Sequence, residues 1–160
     1  MPLSASAAAI IMAASSVHAA PRAVSFKTND GWTIAAKYRP ARAGRATLVL
    51  AHGVGSAAVE WDRFAERLAL EGVGTLAVDL RGHAGSRRGP SGKSDFADFD
   101  ANGEWPRAVS DLRAAAKWLK AQGVPEGRVA FGGASIGANL ASAAAGKSAL
   151  FLLLLSPGVD

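Results

Sequence analysis

The sequence predicts an α/β fold: a mostly parallel sheet with helices on both faces, preceded by an N-terminal β-hairpin. Three observations carry this. Short apolar runs at residues 46–51 (ATLVLA), 75–79 (TLAVD) and 128–131 (RVAF) alternate with stretches of helical periodicity. The runs lack polar alternation, as strands buried on both faces do. Each leads into glycine-bearing sequence, the place where a strand turns toward a crossover helix, and right-handed crossovers then fix the sense of the sheet.

In chain order, residues 1–20 stand apart, with no Lys, Arg, Asp or Glu. Residues 5–14 form a small-residue apolar run, and Val17-His18-Ala19 places small residues at −3 and −1 of a cleavage site after Ala19. Residues 1–19 are therefore expected to be a signal peptide and residues 20–160 a partial domain, periplasmic or secreted. The departure is that no basic residue precedes the run. Neither this run nor residues 149–155 is long enough to span a membrane.

Residues 24–28 and 32–38 alternate apolar and polar around Asn29-Asp30-Gly31, a hairpin signal. The strand at 46–51 ends in His52-Gly53. Trp61, Phe64, Ala65 and Leu68 then mark one face of a helix that Gly72 and Gly74 end. After the strand at 75–79, residues 80–103 read as a long polar loop. A second helix is expected from about residue 104 to 122, with Pro106 in its first turn and Gly123 and Pro125 stopping it. The strand at 128–131, a helix from Ile136 to about Ala145 and a sixth strand at 149–155 (ALFLLLL) complete the order.

Composition narrows the function. The chain has 160 residues and a net charge of +5, with 18 basic and 13 acidic side chains intermixed. No basic–aromatic interleaving accompanies that charge, so nucleic-acid binding is not expected. Arg81, Arg87, Arg88 and Lys93 gather in one segment, which reads as a solvated loop. The absence of cysteine removes disulfides and thiolate metal sites. No metal or cofactor is implied.

The segment that carries chemistry is 132–137 (GGASIG), which contains G-x-S-x-G as Gly133, Ser135 and Gly137. A serine at the tip of a sharp strand-to-helix turn has strained backbone and close neighbours, and glycine two before and two after removes the Cβ atoms that would clash. The turn exposes the Ser135 hydroxyl at a helix N-terminus, where partial positive charge favours a developing oxyanion. The plainer alternative is a glycine-rich connection that contains a serine. A competing pattern is Gly53-x-Gly55-x-x-Ala58 with Asp79 21 residues further on, which matches a dinucleotide-binding fingerprint. Residues 89–94 (GPSGKS) imitate the end of a phosphate-binding loop, but Arg87 stands where that pattern needs glycine.

Taken together, His52-Gly53-Val54-Gly55, the segment 79–86 (DLRGHAGS) and GGASIG, in this order, resemble the α/β-hydrolase superfamily. The likeness is to its dienelactone-hydrolase-like and serine-peptidase-like esterase branches, over roughly residues 24–160. The resemblance implies that Ser135 is the nucleophile and that the N–H groups of Val54 and Ile136 form the oxyanion hole. His52 and Gly53 would support that loop, with Gly133 and Gly137 supporting the nucleophile turn. His83 would brace its own loop, and Asp79 would hold a turn. The implied substrate is a small-molecule ester, thioester or amide. In that superfamily an acid and a histidine follow the nucleophile. After Ser135 this sequence has no histidine and one carboxylate side chain, Asp160. The expectation is an N-terminal portion truncated after the sixth strand, with little activity alone and self-association through that strand. A non-catalytic binding module of the same fold is the alternative.

Overall fold

A computed structural model describes residues 20–158. The expected signal peptide lies outside them, as do Val159 and Asp160. The order is β1 (Arg22–Lys27), β2 (Thr33–Arg39), β3 (Thr47–Ala51), α1 (Asp62–Leu70) and β4 (Gly74–Val78). Then follow β5 (Arg88–Gly89), β6 (Gly92–Lys93), α2 (Phe99–Asn102), α3 (Val109–Ala121), β7 (Val129–Ala134), α4 (Ile136–Ala145) and β8 (Leu152–Leu155).

β1 and β2 form the expected antiparallel hairpin, with Gly31 taking the left-handed φ of 94° that its turn requires. Ile34, Ala36 and Tyr38 are buried on one face of β2 while the residues between them are half-buried. Across the sheet the strands run β2-β4-β3-β7-β8. β2 lies antiparallel to β4, and β4, β3, β7 and β8 are mutually parallel. Every residue of β3 and β4 is buried, which explains their unbroken apolar sequences.

Alternate residues of these strands feed two cores. Val49, Ala51, Leu76, Val78, Val129 and Phe131 join Leu112, Leu119 and Leu140 of α3 and α4 on one face. Leu48, Leu50, Ala77 and Ala130 meet Trp61, with Phe64 and Leu68 of α1 on the other. The C-terminal ends of β3, β4 and β7 thereby converge, each followed by one of the glycine-bearing loops.

Four expectations need correction. The second helix is not continuous from 104. Residues Trp105–Ala108 form a 3-10 turn with Pro106 at its start, and the α-helix begins at Val109. Residues 80–103 are not structureless: they hold the two-residue strands β5 and β6, which pair with each other, a 3-10 turn at Phe96–Asp98, and α2. Arg81 is not in solvent but completely buried. The expected sixth strand is β8, and its regular pairing begins at Leu152 rather than at 149.

Candidate active site

Ser135 is the residue between β7 and α4, and its backbone sits at φ 52°, ψ −125°. That region is costly for a residue with a Cβ and persists only where the surroundings enforce it. Here they do. A Cβ on Gly133 would overlap the Gly137 carbonyl group and come within 2.6 Å of Ala138 N. A Cβ on Gly137 would collide with the carbonyl oxygens of Ala51 and His52 at the end of β3. The two glycines let the turn close on itself and dock against β3. Ser135 N–H donates to Leu155 O at 2.9 Å, and Ala138 N–H donates to Ser135 O at 2.9 Å. The side chain is left exposed.

The loop after β3 lies directly against this turn. A Cβ on Gly53 would be 3.6 Å from Ser135 Cβ and 3.8 Å from Ala134 O. Val54 follows, 55% exposed. Ile136 is the first residue of α4, so its N–H has no carbonyl one turn earlier in the helix. Val54 thus follows the residue packed against Ser135, and Ile136 follows Ser135 itself at the helix start.

Two buried histidines tie this loop to the one after β4. His52 Nε2 accepts the Leu80 N–H at 3.0 Å, and its Nδ1 lies 2.7 Å from Gly53 O. His83 Nε2 accepts the Gly55 N–H at 3.2 Å, and its Nδ1 lies 2.9 Å from Arg81 O. Because a backbone N–H can only donate, each Nε2 is the bare nitrogen and each Nδ1 carries the proton. The rings meet edge to face at 4.8 Å, and His83 stacks on Phe96 at 4.1 Å. Burial pushes both imidazoles below the usual histidine range, and the hydrogen bonds to carbonyls oppose it only in part. All four ring nitrogens are engaged with backbone.

Asp79 also has a structural post. One carboxylate oxygen accepts the Ala58 N–H at 2.7 Å and the other the Gly85 N–H at 3.1 Å. Its carboxylate clasps two loops, which leaves the dinucleotide fingerprint without its ribose ligand.

The feature that sequence reasoning missed is the Arg81 cluster. Its guanidinium reaches Asp111 at 2.9 and 2.8 Å, Asp30 at 2.8 Å, Ser110 at 2.6 Å and Glu104, and lies over the Trp32 ring at 5.2 Å. The Arg81 N–H donates to the second Asp111 oxygen at 2.9 Å. Burial alone would lower the Arg81 pKa, but the hydrogen bonds and charge of Asp111, together with the hydrogen bonds to Asp30 and Glu104, outweigh this and raise it. Burial pushes the Asp111 carboxyl up to about 6 against the pull of Arg81. One signal was available: Asp111 lies three residues after Ala108 and four before Ala115, sharing their side of the helix, where a carboxylate needs a partner. Arg87, from the same basic segment, pairs with Asp95 at 3.2 Å on the surface. Among the described residues, no group of three or more His, Cys, Asp or Glu side chains is placed to hold a metal ion, and no helix is long and apolar enough to cross a membrane.

A family model described as "Serine aminopeptidase, S33" matches residues 42–159. No curated protein matches the chain significantly. Among solved structures, an α/β hydrolase from Penicillium is similar at 23% identity and a TM-score of 0.73, over 89% of this chain and 47% of that one. An N-formylmaleamic acid deformylase from Pseudomonas putida is similar at 28% identity and a TM-score of 0.64, over 87% of this chain and 48% of that one. Epoxide hydrolase A from Mycobacterium thermoresistibile is similar at 27% identity and a TM-score of 0.58, over 79% of this chain and 35% of that one. The chain spans less than half the length of each of these three.

Proposed function

This chain belongs to the serine aminopeptidase family of α/β-hydrolases, and from that premise we propose that it is a serine hydrolase acting on ester, thioester or amide bonds, with Ser135 as nucleophile. The observation that carries the proposal is the exposed Ser135 at φ 52°, with Gly53 packed against it and helix α4 starting at the next residue. Strain at a polar residue, enforced by two glycines, is the arrangement expected where a hydroxyl must be held out of a sheet for attack.

In this reading Ser135 Oγ adds to the carbonyl carbon of the substrate. The carbonyl π pair moves onto oxygen, and the Val54 and Ile136 N–H groups donate to that oxyanion. Collapse expels the alcohol, thiol or amine with a proton, and water then releases the acid from the acyl-serine. The step needs a base for the Oγ proton. His52 and His83 have both ring nitrogens engaged with backbone. The proposal therefore takes its base, and the acid that orients it, from outside residues 20–158. That same engagement favours the second reading, a binding module of hydrolase fold that does no chemistry.

An alkyl fluorophosphonate distinguishes the two. Because the proposal takes its base from outside residues 20–158, labelling is expected to be slow, at the rate an oxyanion hole sustains. Peptide mass spectrometry is expected to find the adduct on Ser135 forming faster than on the other exposed serines, and none at that position in Ser135→Ala. An unmodified Ser135 in folded protein would favour the binding module. Turnover of p-nitrophenyl acetate by the 160-residue chain is expected near background, with only the trace that an oxyanion hole sustains. Robust turnover abolished by Ser135→Ala would instead make His52 or His83 the base. Export is proposed from residues 1–19 alone, and a product that keeps Met1 in the cytoplasm of a bacterial host would refute it.

A further inference from the structure

His83 does more than fill space beneath its loop. Its Nε2 is the acceptor for the Gly55 N–H, the amide immediately after Val54. That bond fixes the plane of the peptide joining Val54 to Gly55, and it occupies the Gly55 N–H. Of the two successive amides in this glycine-bearing loop, that of Gly55 is engaged by the ring and that of Val54 is the one the hydrolase reading assigns to the oxyanion. On the other side of the ring, Arg81 O holds Nδ1–H, and Arg81 is itself held by Asp111 through both its backbone N–H and its guanidinium. Phe96 fixes the ring plane by stacking. The path from the interior of α3 to the loop beside Ser135 is thus Asp111, Arg81, His83, Gly55.

We propose that His83 is a positioning residue for the oxyanion loop: its unprotonated Nε2 selects Val54 as the oxyanion donor by engaging the Gly55 amide. The proposal rests on the serine-hydrolase reading for the word oxyanion, but the brace itself does not depend on it. The device works in one protonation state only. A proton on Nε2 would confront the Gly55 N–H with a second donor, and the loop would have to turn away. The groups facing the ring set when that happens. Burial opposes protonation, whereas the Arg81 and Leu80 backbone, Asp95 before the Phe96 turn and Asp79 at the end of β4 favour it. The His52 ring on the β3 loop lies edge to face at 4.8 Å. Trp105, 5.9 Å away, adds an uncharged wall.

Two substitutions separate acceptor from packing. His83→Gln places a carbonyl oxygen near the Nε2 position and cannot titrate there. His83→Phe keeps a flat ring on Phe96 and has no acceptor. In NMR spectra of the full chain labelled with 15N, the wild-type Gly55 amide is expected to shift in step with the His83 imidazole, with a midpoint below 6.5. The His83→Gln Gly55 amide is expected to stay near its neutral-pH position throughout. In His83→Phe that amide should exchange with solvent at least about tenfold faster than in wild type above the His83 midpoint, a difference that vanishes below it. If association broadens the spectra, hydrogen exchange of a peptide spanning residues 53–58 makes the same comparison. A Gly55 amide that ignores the His83 titration, or that behaves alike in wild type and His83→Phe, overturns the brace. Phosphonate capture of Ser135 is measured in parallel. Its failure in wild type, with the Gly55 response intact, would sink the hydrolase reading and leave the brace standing.

Discussion

Gly133 and Gly137 face each other across the turn that presents Ser135, and the contact is between backbones, which cannot move aside as a side chain can. Gly133→Ala is therefore expected to destabilise the fold by at least about 1–3 kcal/mol, the usual cost of overpacking. It should also retract the serine, so that fluorophosphonate capture falls more than stability alone explains. Thermal denaturation together with the labelling rate checks this. An alanine variant that keeps wild-type melting and labelling would mean the turn is looser than the geometry implies. This part of the site was legible in the sequence, because the spacing of Gly133, Ser135 and Gly137 encodes a local steric requirement. The surroundings of Arg81 were not legible. Its carboxylate partners come from positions 30, 104 and 111, and no local pattern announces a pairing that only the assembled fold creates. A cluster of Arg and Lys in sequence looked like solvated charge, and one of its members proved to be buried.

Among the elements, the loop after β4 has the least regular structure and the most polar anchoring. It holds Asp79, Arg81 and His83, which reach the loop after β3, the hairpin turn at Asp30 and helix α3. Sequence reading set the strand before it to within a residue, but could not see β5, β6 and α2 inside it, since strands of two residues carry no periodicity. Removing Asp111 would leave the completely buried Arg81 with Asp30, 40% exposed, and Glu104, 12% exposed. Breaking a buried pair typically costs about 3–5 kcal/mol. Asp111→Ala is expected to lose that much in chemical denaturation and to free the Arg81–His83 loop. A loss below about 1 kcal/mol would show that Asp30 and Glu104 suffice. The histidines add a pH dependence with a definite sign. Their folded pKa values lie below 6.5, so on acidification the unfolded chain takes up protons first. Stability should be fully present above about pH 6.5 and fall below it, by up to about 1.4 kcal/mol per pH unit for each histidine. Asp111, raised to about 6 from 3.8, acts in the opposite sense between those values. The difference between wild type and His83→Gln isolates one histidine from this sum. Their melting temperatures, compared at pH 7.5 and 5.5, should diverge on acidification, with His83→Gln losing less.

For the whole molecule, the asymmetry of the sheet is the main consequence. The antiparallel hairpin covers one side of it, and β3 and β4 are buried on both faces. At the other side, β8 pairs with β7 and, among the described residues, with no other strand. Leu150, Phe151, Leu152, Leu154 and Leu155 are 47%, 46%, 43%, 38% and 45% exposed, whereas Leu153 packs against the cluster beneath α1. The order of elements was legible because apolar runs and helical faces alternate cleanly. The purely apolar composition of 149–155 likewise foretold a strand suited to cover on both faces. Burying a Leu or Phe side chain fully is worth about 1.5–3 kcal/mol, so five side chains left near half exposure forgo several kcal/mol, comparable with the lower end of domain stability. An edge strand with free N–H and C=O groups and neither charge nor proline is a template for another strand. The 160-residue chain is therefore expected to associate through β8, giving concentration-dependent oligomers in size-exclusion chromatography with light scattering. Leu152→Lys and Leu154→Lys place charge on that strand and should shift the population toward monomer by several-fold. A wild-type monomer at tens of micromolar with one cooperative thermal transition would overturn the edge-strand argument. So would oligomers unmoved by both lysines, since these would have to form through another surface.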